Sequence, residues 1–248
     1  MCFSEPASFA VASACALAGA LTVFKSPSLN HLPLAGVPLV FAVQQASEGL
    51  VWRTLDQVVG LPASGWPATL FVFIATVVWP VFVPLSVLLA QKDGPRKRII
   101  AALAATGCLV SLVYVVRLLN ADVTASVAGT SIQYTSQIRP GVFLPLWMLS
   151  EAQGGTDWIL VPYAVATIGA LACSALPALR LFAGLVAAVL VVLLAADQDT
   201  LVSVWCFFAA SGSLLLIPAI LSASSGFRKE PAKSAPGSRR LPDSSRGP

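Results

Sequence analysis

Seven apolar stretches, most of them close to the roughly 20 residues that a helix needs to cross a bilayer, dominate this chain. They run approximately over Pro6–Phe24, Leu34–Trp52, Trp66–Ala90, Ile99–Leu119, Trp158–Leu176, Leu179–Ala196 and Leu201–Leu221. Of the 248 residues, 57% are hydrophobic and only 10% charged, where soluble domains carry about 25% charge. So few charges cannot make a water-facing surface, so a soluble globular fold is excluded. The expected fold class is all-α: a polytopic transmembrane helix bundle of about seven spans over residues 1–221. The fifth and sixth stretches are separated only by a hinge at Pro177, and residues 158–196 fit two spans or one long bent helix. Residues 222–248 are rich in Ser, Pro, Gly, Arg and Lys with little to bury, which predicts a disordered basic tail.

Charge placement sets the expected orientation. With the N-terminus outside, Lys25, then Lys92, Arg96, Lys97 and Arg98, then Arg180 and the basic residues of the tail fall inside. Only Arg53, Arg117 and Arg139 fall outside. That asymmetry predicts an external N-terminus and a cytoplasmic C-terminus in the inner (plasma) membrane. The first charge is Glu5 and the first basic residue is Lys25, behind the apolar run, so residues 6–24 read as a retained span and not as a cleaved signal. The basic excess sits in loops and tail and does not indicate nucleic acid. The bilayer is the one partner the sequence defines.

The longest outer loop is 120–157. Its first part, Asn120–Gly141, is rich in Thr, Ser, Ala and Gly, and Val142–Leu149 is apolar but too short to span, so it reads as an interfacial, re-entrant or capping piece. Arg117, with Asp122 just beyond it, reads as a snorkelling side chain or a local ion pair. Cys15, Cys108 and Cys173 read as buried small hydrophobes.

Ionisable groups inside spans are costly and mark candidate sites. The foremost is Glu48 in Gln44-Gln45-Ala46-Ser47-Glu48-Gly49. Gln44 and Glu48 are one helical turn apart and share a face. The bland alternatives are an interhelical hydrogen-bond clasp and a glutamate that snorkels to the interface. Topology places Cys2, Glu5, Gln44, Glu48 and Cys206 at one side of the bilayer. Cys2, Glu48 and Cys206 are therefore the candidate metal set, with zinc or copper as the metal class for thiolate and carboxylate donors. Their thiols could equally serve redox chemistry. Gln44, Gln45, Trp79, Ser131 and Tyr134 are the candidate ligand-lining side chains. Trp79-Pro80 and Pro84 predict a kink in the third span. His31, the only histidine, sits in the turn between spans one and two, so bis-histidine haem and a three-histidine zinc site cannot be built. The last span has no lysine for a retinal Schiff base.

Met1-Cys2-Phe3-Ser4 with Ala7-Ser8-Phe9, and Pro38 to Gln45 with Glu48-Gly49 and Trp52, resemble the start and second span of an uncharacterised family of bacterial multi-pass membrane proteins beginning MCFS. Trp79-Pro80 with Pro84 and Ser203-Val204-Trp205-Cys206-Phe207-Phe208-Ala209-Ala210 resemble its third and last spans. The resemblance covers residues 1 to about 215. It implies a helical bundle, supplies no activity, and places Cys2, Glu48 and Cys206 in family motifs. It also implies a histidine before Ser131-Ile132, where this chain carries Thr130. Three functions remain open from the sequence. A non-catalytic bundle, acting as small-ligand binder or sensor, comes first. A metal- or thiol-dependent enzyme with its site near the outer face is second, and a small-solute or ion transporter third.

Overall fold

A computed structural model describes residues 4–26, 28–57, 61–142, 157–196, 200–214 and 217. Cys2, residues 197–199, the tail 222–248 and all but the first residue of the 142–149 segment lie outside the described residues. The described chain is mostly helical. Its helices are α1 (Glu5–Phe24), α2 (Val37–Gln57), α3 (Trp66–Ala90), α4 (Pro95–Leu119), α5 (Leu160–Ala172), α6 (Pro177–Ala196) and α7 (Leu201–Ser213). Among the described residues five helices are long and apolar enough to cross a membrane, while α5 and α7 are shorter. Residues 158–196 form two helices: α5 ends at Ala172 and Pro177 opens α6, at a first-turn position where its missing N–H costs nothing.

Local chemistry sets the helix boundaries. The Ser4 hydroxyl caps α1 by accepting from the Ala7 N–H, with Glu5 and Pro6 in the first turn. Gly65 and Gly94 precede α3 and α4 at φ +132° and +150°, which only glycine takes without strain. Pro67 and Pro95 follow them in the first turns. At Thr22 the hydroxyl donates to Ala35 O at 2.7 Å, fastening the end of α1 to the turn that leads into α2. Gly19 lies so near α2 that a Cβ there would come within 2.8 Å of the Leu39 backbone nitrogen.

The third helix is irregular where proline requires it. Residues Ile74–Val78 form a π turn directly before Trp79-Pro80. Within it the Trp79 N–H bonds to Ile74 O, five residues back. In that register the next donor would be Pro80, which has none. Ala75 O is instead met by the Tyr163 hydroxyl of α5 at 2.7 Å, and Val77 O accepts from Ser111 of α4. The α5 tyrosine thus satisfies the carbonyl that the proline releases, and α4 adds a bond to a second carbonyl of the π turn.

All-α is too narrow a description. Between α4 and α5 the loop folds into a hairpin of β2 (Ala121–Ala128) and β3 (Ser131–Ile138), with the short β1 (Ala63–Ser64) pairing on β2. The register runs from Ala121↔Ile138 to Ala128↔Ser131. Gly129, at φ +60° and the only residue of the two-residue turn with positive φ, fits a type II′ hairpin. Val123, Ala125 and Ile132 face down onto Trp52, Phe71 and Cys206, making a second, smaller core beneath the sheet. Arg117 pairs not with Asp122 but with Asp157, while Asp122 pairs with Arg139. Of the three cysteines expected to be buried, Cys15 is; Cys173 is half-buried and Cys108 lies on the exposed face of α4.

Candidate functional site

The second helix is the most enclosed of the long helices, and it carries the polar patch. Gln44 and Gln45 are 0% exposed and Glu48 is 1% exposed, so the glutamate does not snorkel. Its carboxylate is reached from α7, where the Ser203 hydroxyl donates to Oε1 at 2.5 Å. The Gln45 amide and the Ser8 hydroxyl of α1 face the same carboxylate. Helical spacing explains the convergence on α2, since Gln45, Glu48 and Trp52 recur at three- and four-residue steps on one face.

Trp79 fixes Gln44. Its indole N–H donates to Gln44 Oε1 at 2.7 Å. An indole can only donate, so the other end of the amide, Nε2, must point away from Trp79. The Cys206 thiol of α7 lies within hydrogen-bonding reach of Gln44 and in the field of Glu48. From the sheet comes Tyr134, stacked on Phe71 with ring centroids 4.5 Å apart and 10° between planes. Burial first, then the nearby Glu48 and Cys206, push the Tyr134 phenol well above its ordinary range, so it remains a hydroxyl.

Five polar atoms in this region are buried without a close, well-aligned hydrogen-bond partner: Gln44 Nε2, Gln45 Nε2, Gln45 Oε1, Trp52 Nε1 and Tyr134 Oη, with the Gln44 and Gln45 amides only facing Cys206 and Glu48 at longer range. Buried unsatisfied groups are rare in folded proteins. At about 1–3 kcal/mol each, five would approach the roughly 5–15 kcal/mol that stabilises a whole domain. Beside them, on the far side of Cys206 and Trp79, a cavity of about 50 Å³ opens between α2, α3, α5, α6 and α7, with almost wholly apolar walls.

The structure brings together Gln44, Gln45, Glu48, Trp79, Cys206 and Tyr134 of the residues singled out from sequence. Ser131 is buried at the hairpin turn but shares no hydrogen bond with the group among the described residues. With Cys2 outside the described residues, the three-donor metal set is not assembled: no group of three or more His, Cys, Asp or Glu side chains suited to a metal occurs among the described residues. Sequence reasoning passed over Ser203, Ser8 and Trp52 as site members. Ser203 had a signal, being three residues before Cys206 and so on the same face of α7.

Long apolar helices, a small capping sheet and an enclosed polar site next to an apolar cavity define a helical protein built to sit in a bilayer. The chain belongs to a family of unknown function (DUF6629), whose model matches residues 1–232. No curated protein and no solved structure matches it.

Proposed function

We propose that this chain is a multi-pass integral membrane protein that binds a small molecule, as a non-catalytic binder or sensor, in the enclosed site between α1, α2, α7 and β3. One observation carries the reading: five polar atoms buried without a close hydrogen-bond partner belong to Gln44, Gln45 and Trp52, each one helical turn from Glu48, and to Tyr134, which lies in the field of Glu48. A bound molecule that hydrogen-bonds them removes a penalty no marginally stable fold sustains. The test is native mass spectrometry of the gently solubilised protein. A non-covalent adduct of defined mass is expected, retained in Glu48→Gln, which still offers Ser203 an acceptor, and lost in Gln45→Leu at unchanged thermal stability. A wild-type mass equal to the bare chain under every solubilisation would assign the site to water alone.

The proposed arrangement has about seven spans, the N-terminus outside and the C-terminus in the cytoplasm, in the inner (plasma) membrane. Lys25, Lys92, Arg96, Lys97, Arg98 and Arg180 gather at the end of the bundle opposite the hairpin. At the hairpin end Arg53, Arg117 and Arg139 are each paired, with Glu5, Asp157 and Asp122. The positive-inside rule then favours the hairpin outside. A C-terminal fluorescent-protein fusion should fluoresce; a dark fusion rescued by a periplasm-competent reporter reverses the orientation. A thiol-dependent reaction is the second reading, favoured by Cys206 touching both the polar group and the cavity. Mass on Cys206 that survives denaturation would select it.

A further inference from the structure

We propose that the apolar cavity is a binding site of its own, distinct from the polar group around Glu48, and that it takes a small apolar gas molecule, with dioxygen as the type. None of Gln44, Gln45 and Glu48 lines the cavity; Trp79 and Cys206 stand between them and it. The binder proposed above needs only the polar group, so the cavity is a second site with a different guest. Two independent observations point there, the state of the wall's polar atoms and the size of the space.

The wall carries four side chains with an N–H or O–H group, and each already donates to a protein oxygen. Trp79 donates to Gln44 Oε1 at 2.7 Å, Tyr163 to Ala75 O at 2.7 Å, Thr167 to Tyr163 O at 2.9 Å and Trp205 to Val186 O at 3.2 Å. What remains is the Cys206 thiol, a weak hydrogen-bonding group that faces the Gln44 amide. An ordered water needs about 2–4 polar partners, and these walls have no donor to spare, so the cavity stays dry and favours an apolar guest. The same bonds pin the large side chains. Trp79 packs on Phe41 with ring centroids 4.1 Å apart, and Tyr163 meets Trp205 edge-on with centroids 5.6 Å apart. Held by ring contact and hydrogen bond together, these side chains resist swinging inward to fill the space, and the site is preformed.

Size then names the guest. The cavity measures about 50 Å³, a third of the roughly 150 Å³ that admit a benzene ring, so it has room for about two or three heavy atoms. That excludes an acyl or isoprenoid chain, and the apolar walls exclude ions and polar solutes. Neutral diatomic gases meet both limits. They need no hydrogen bond, and dispersion contacts with the aromatic and aliphatic wall supply the attraction. They also dissolve in hydrocarbon, and the cavity lies among helices long and apolar enough to cross a bilayer. Of its lining residues only Val83, Ile168 and Ala209 are partly exposed, so the guest sits inside the bundle and not on its lipid face.

The test uses xenon, a neutral apolar atom, and then dioxygen itself. Crystals of the full-length protein are pressurised with xenon and its anomalous signal is mapped. One peak is expected in contact with Phe182, Val186 and Trp205. Ala209→Leu, which narrows the cavity, should lose that peak while keeping its thermal midpoint. If that variant does not fold, Val83→Phe serves instead. In lipid nanodiscs, methyl NMR spectra under oxygen should show paramagnetic relaxation at Val186 and Leu171 that falls at least threefold in the narrowed variant. The outward Leu181 and Val191 should relax equally in both chains. Nitrogen at equal pressure, being diamagnetic, should relax neither set. No xenon peak, a lipid chain or ordered water filling the cavity, or equal relaxation of Val186 in both chains would overturn the proposal. The adduct lost in Gln45→Leu reports on the polar site alone, so the two sites stand or fall separately.

Discussion

Gly107→Ala is expected to destabilise the protein by about 3 kcal/mol, at the upper end of what added core volume costs. Pro84 lacks the N–H that would bond to Pro80 O one turn back, so that carbonyl turns outward from α3. It meets Gly107 of α4 so closely that an added Cβ would sit 1.7 Å from the oxygen and 2.8 Å from its carbon. Both atoms are backbone, and Pro84 stiffens the segment further, with its Cγ at 3.4 Å. No rotamer change relieves the contact; α3 and α4 must part. Parting them also pulls Ser111 away from Val77 O, the neighbouring carbonyl of the π turn. The control is Gly184→Ala on α6, where an added Cβ meets nothing within 4 Å. Alanine there should be neutral or stabilise by up to about 1 kcal/mol through helix propensity. Thermal unfolding in detergent compares the two. Equal midpoints for both variants would show that the α3–α4 contact yields easily.

The sequence made the helices legible because membrane-length apolar runs with few charges have almost no other solution. The hinge at Pro177 was visible as a hinge, yet only the structure chose two helices over one bent one. The π turn was half legible: Trp79-Pro80 and Pro84 announced an irregular helix, but not which neighbours would take the released carbonyls. That depends on Tyr163 and Ser111, far away in sequence. The hairpin was readable and passed over. Ala121, Val123, Ala125 and Val127 alternate with Asp122, Thr124 and Ser126, the period-two pattern of a strand, and Gly129-Thr130 supplies the turn. Small side chains hid it, since alanine and serine read as loop by composition. The site was legible on α2, where charge inside a span is conspicuous, and dim on its partners. Ser203, Ser8 and Tyr134 are ordinary residues until packing brings them to Glu48.

The buried pair that returns the chain to the bundle should be at least as sensitive as Gly107. Asp157 stands just before α5 and accepts from Arg117 Nη1 at 3.1 Å and from the Tyr114 hydroxyl at 2.7 Å, both on α4. Its other oxygen caps the turn by accepting from the Ile159 N–H at 3.1 Å. The side chains of Arg117 and Asp157 are 8% and 10% exposed, so solvent screens them little. Desolvation opposes such a pair, and its net worth against an apolar replacement is small. Breaking it is different, because the buried guanidinium and the Tyr114 hydroxyl both lose the Asp157 oxygen that they share. Asp157→Ala should therefore cost about 3–5 kcal/mol. Asp157→Asn should cost less, since its one amide oxygen still accepts either from Tyr114 or from the Ile159 N–H, though not from both as the two carboxylate oxygens do. The double variant Arg117→Leu with Asp157→Leu should recover much of the loss, because no buried charge remains. That order, alanine worst and the double variant milder than alanine alone, follows from desolvation and separates a buried pair from a surface one. A cost under about 1 kcal/mol for Asp157→Ala is the surface-pair value, and it would mean that water reaches this end of α4.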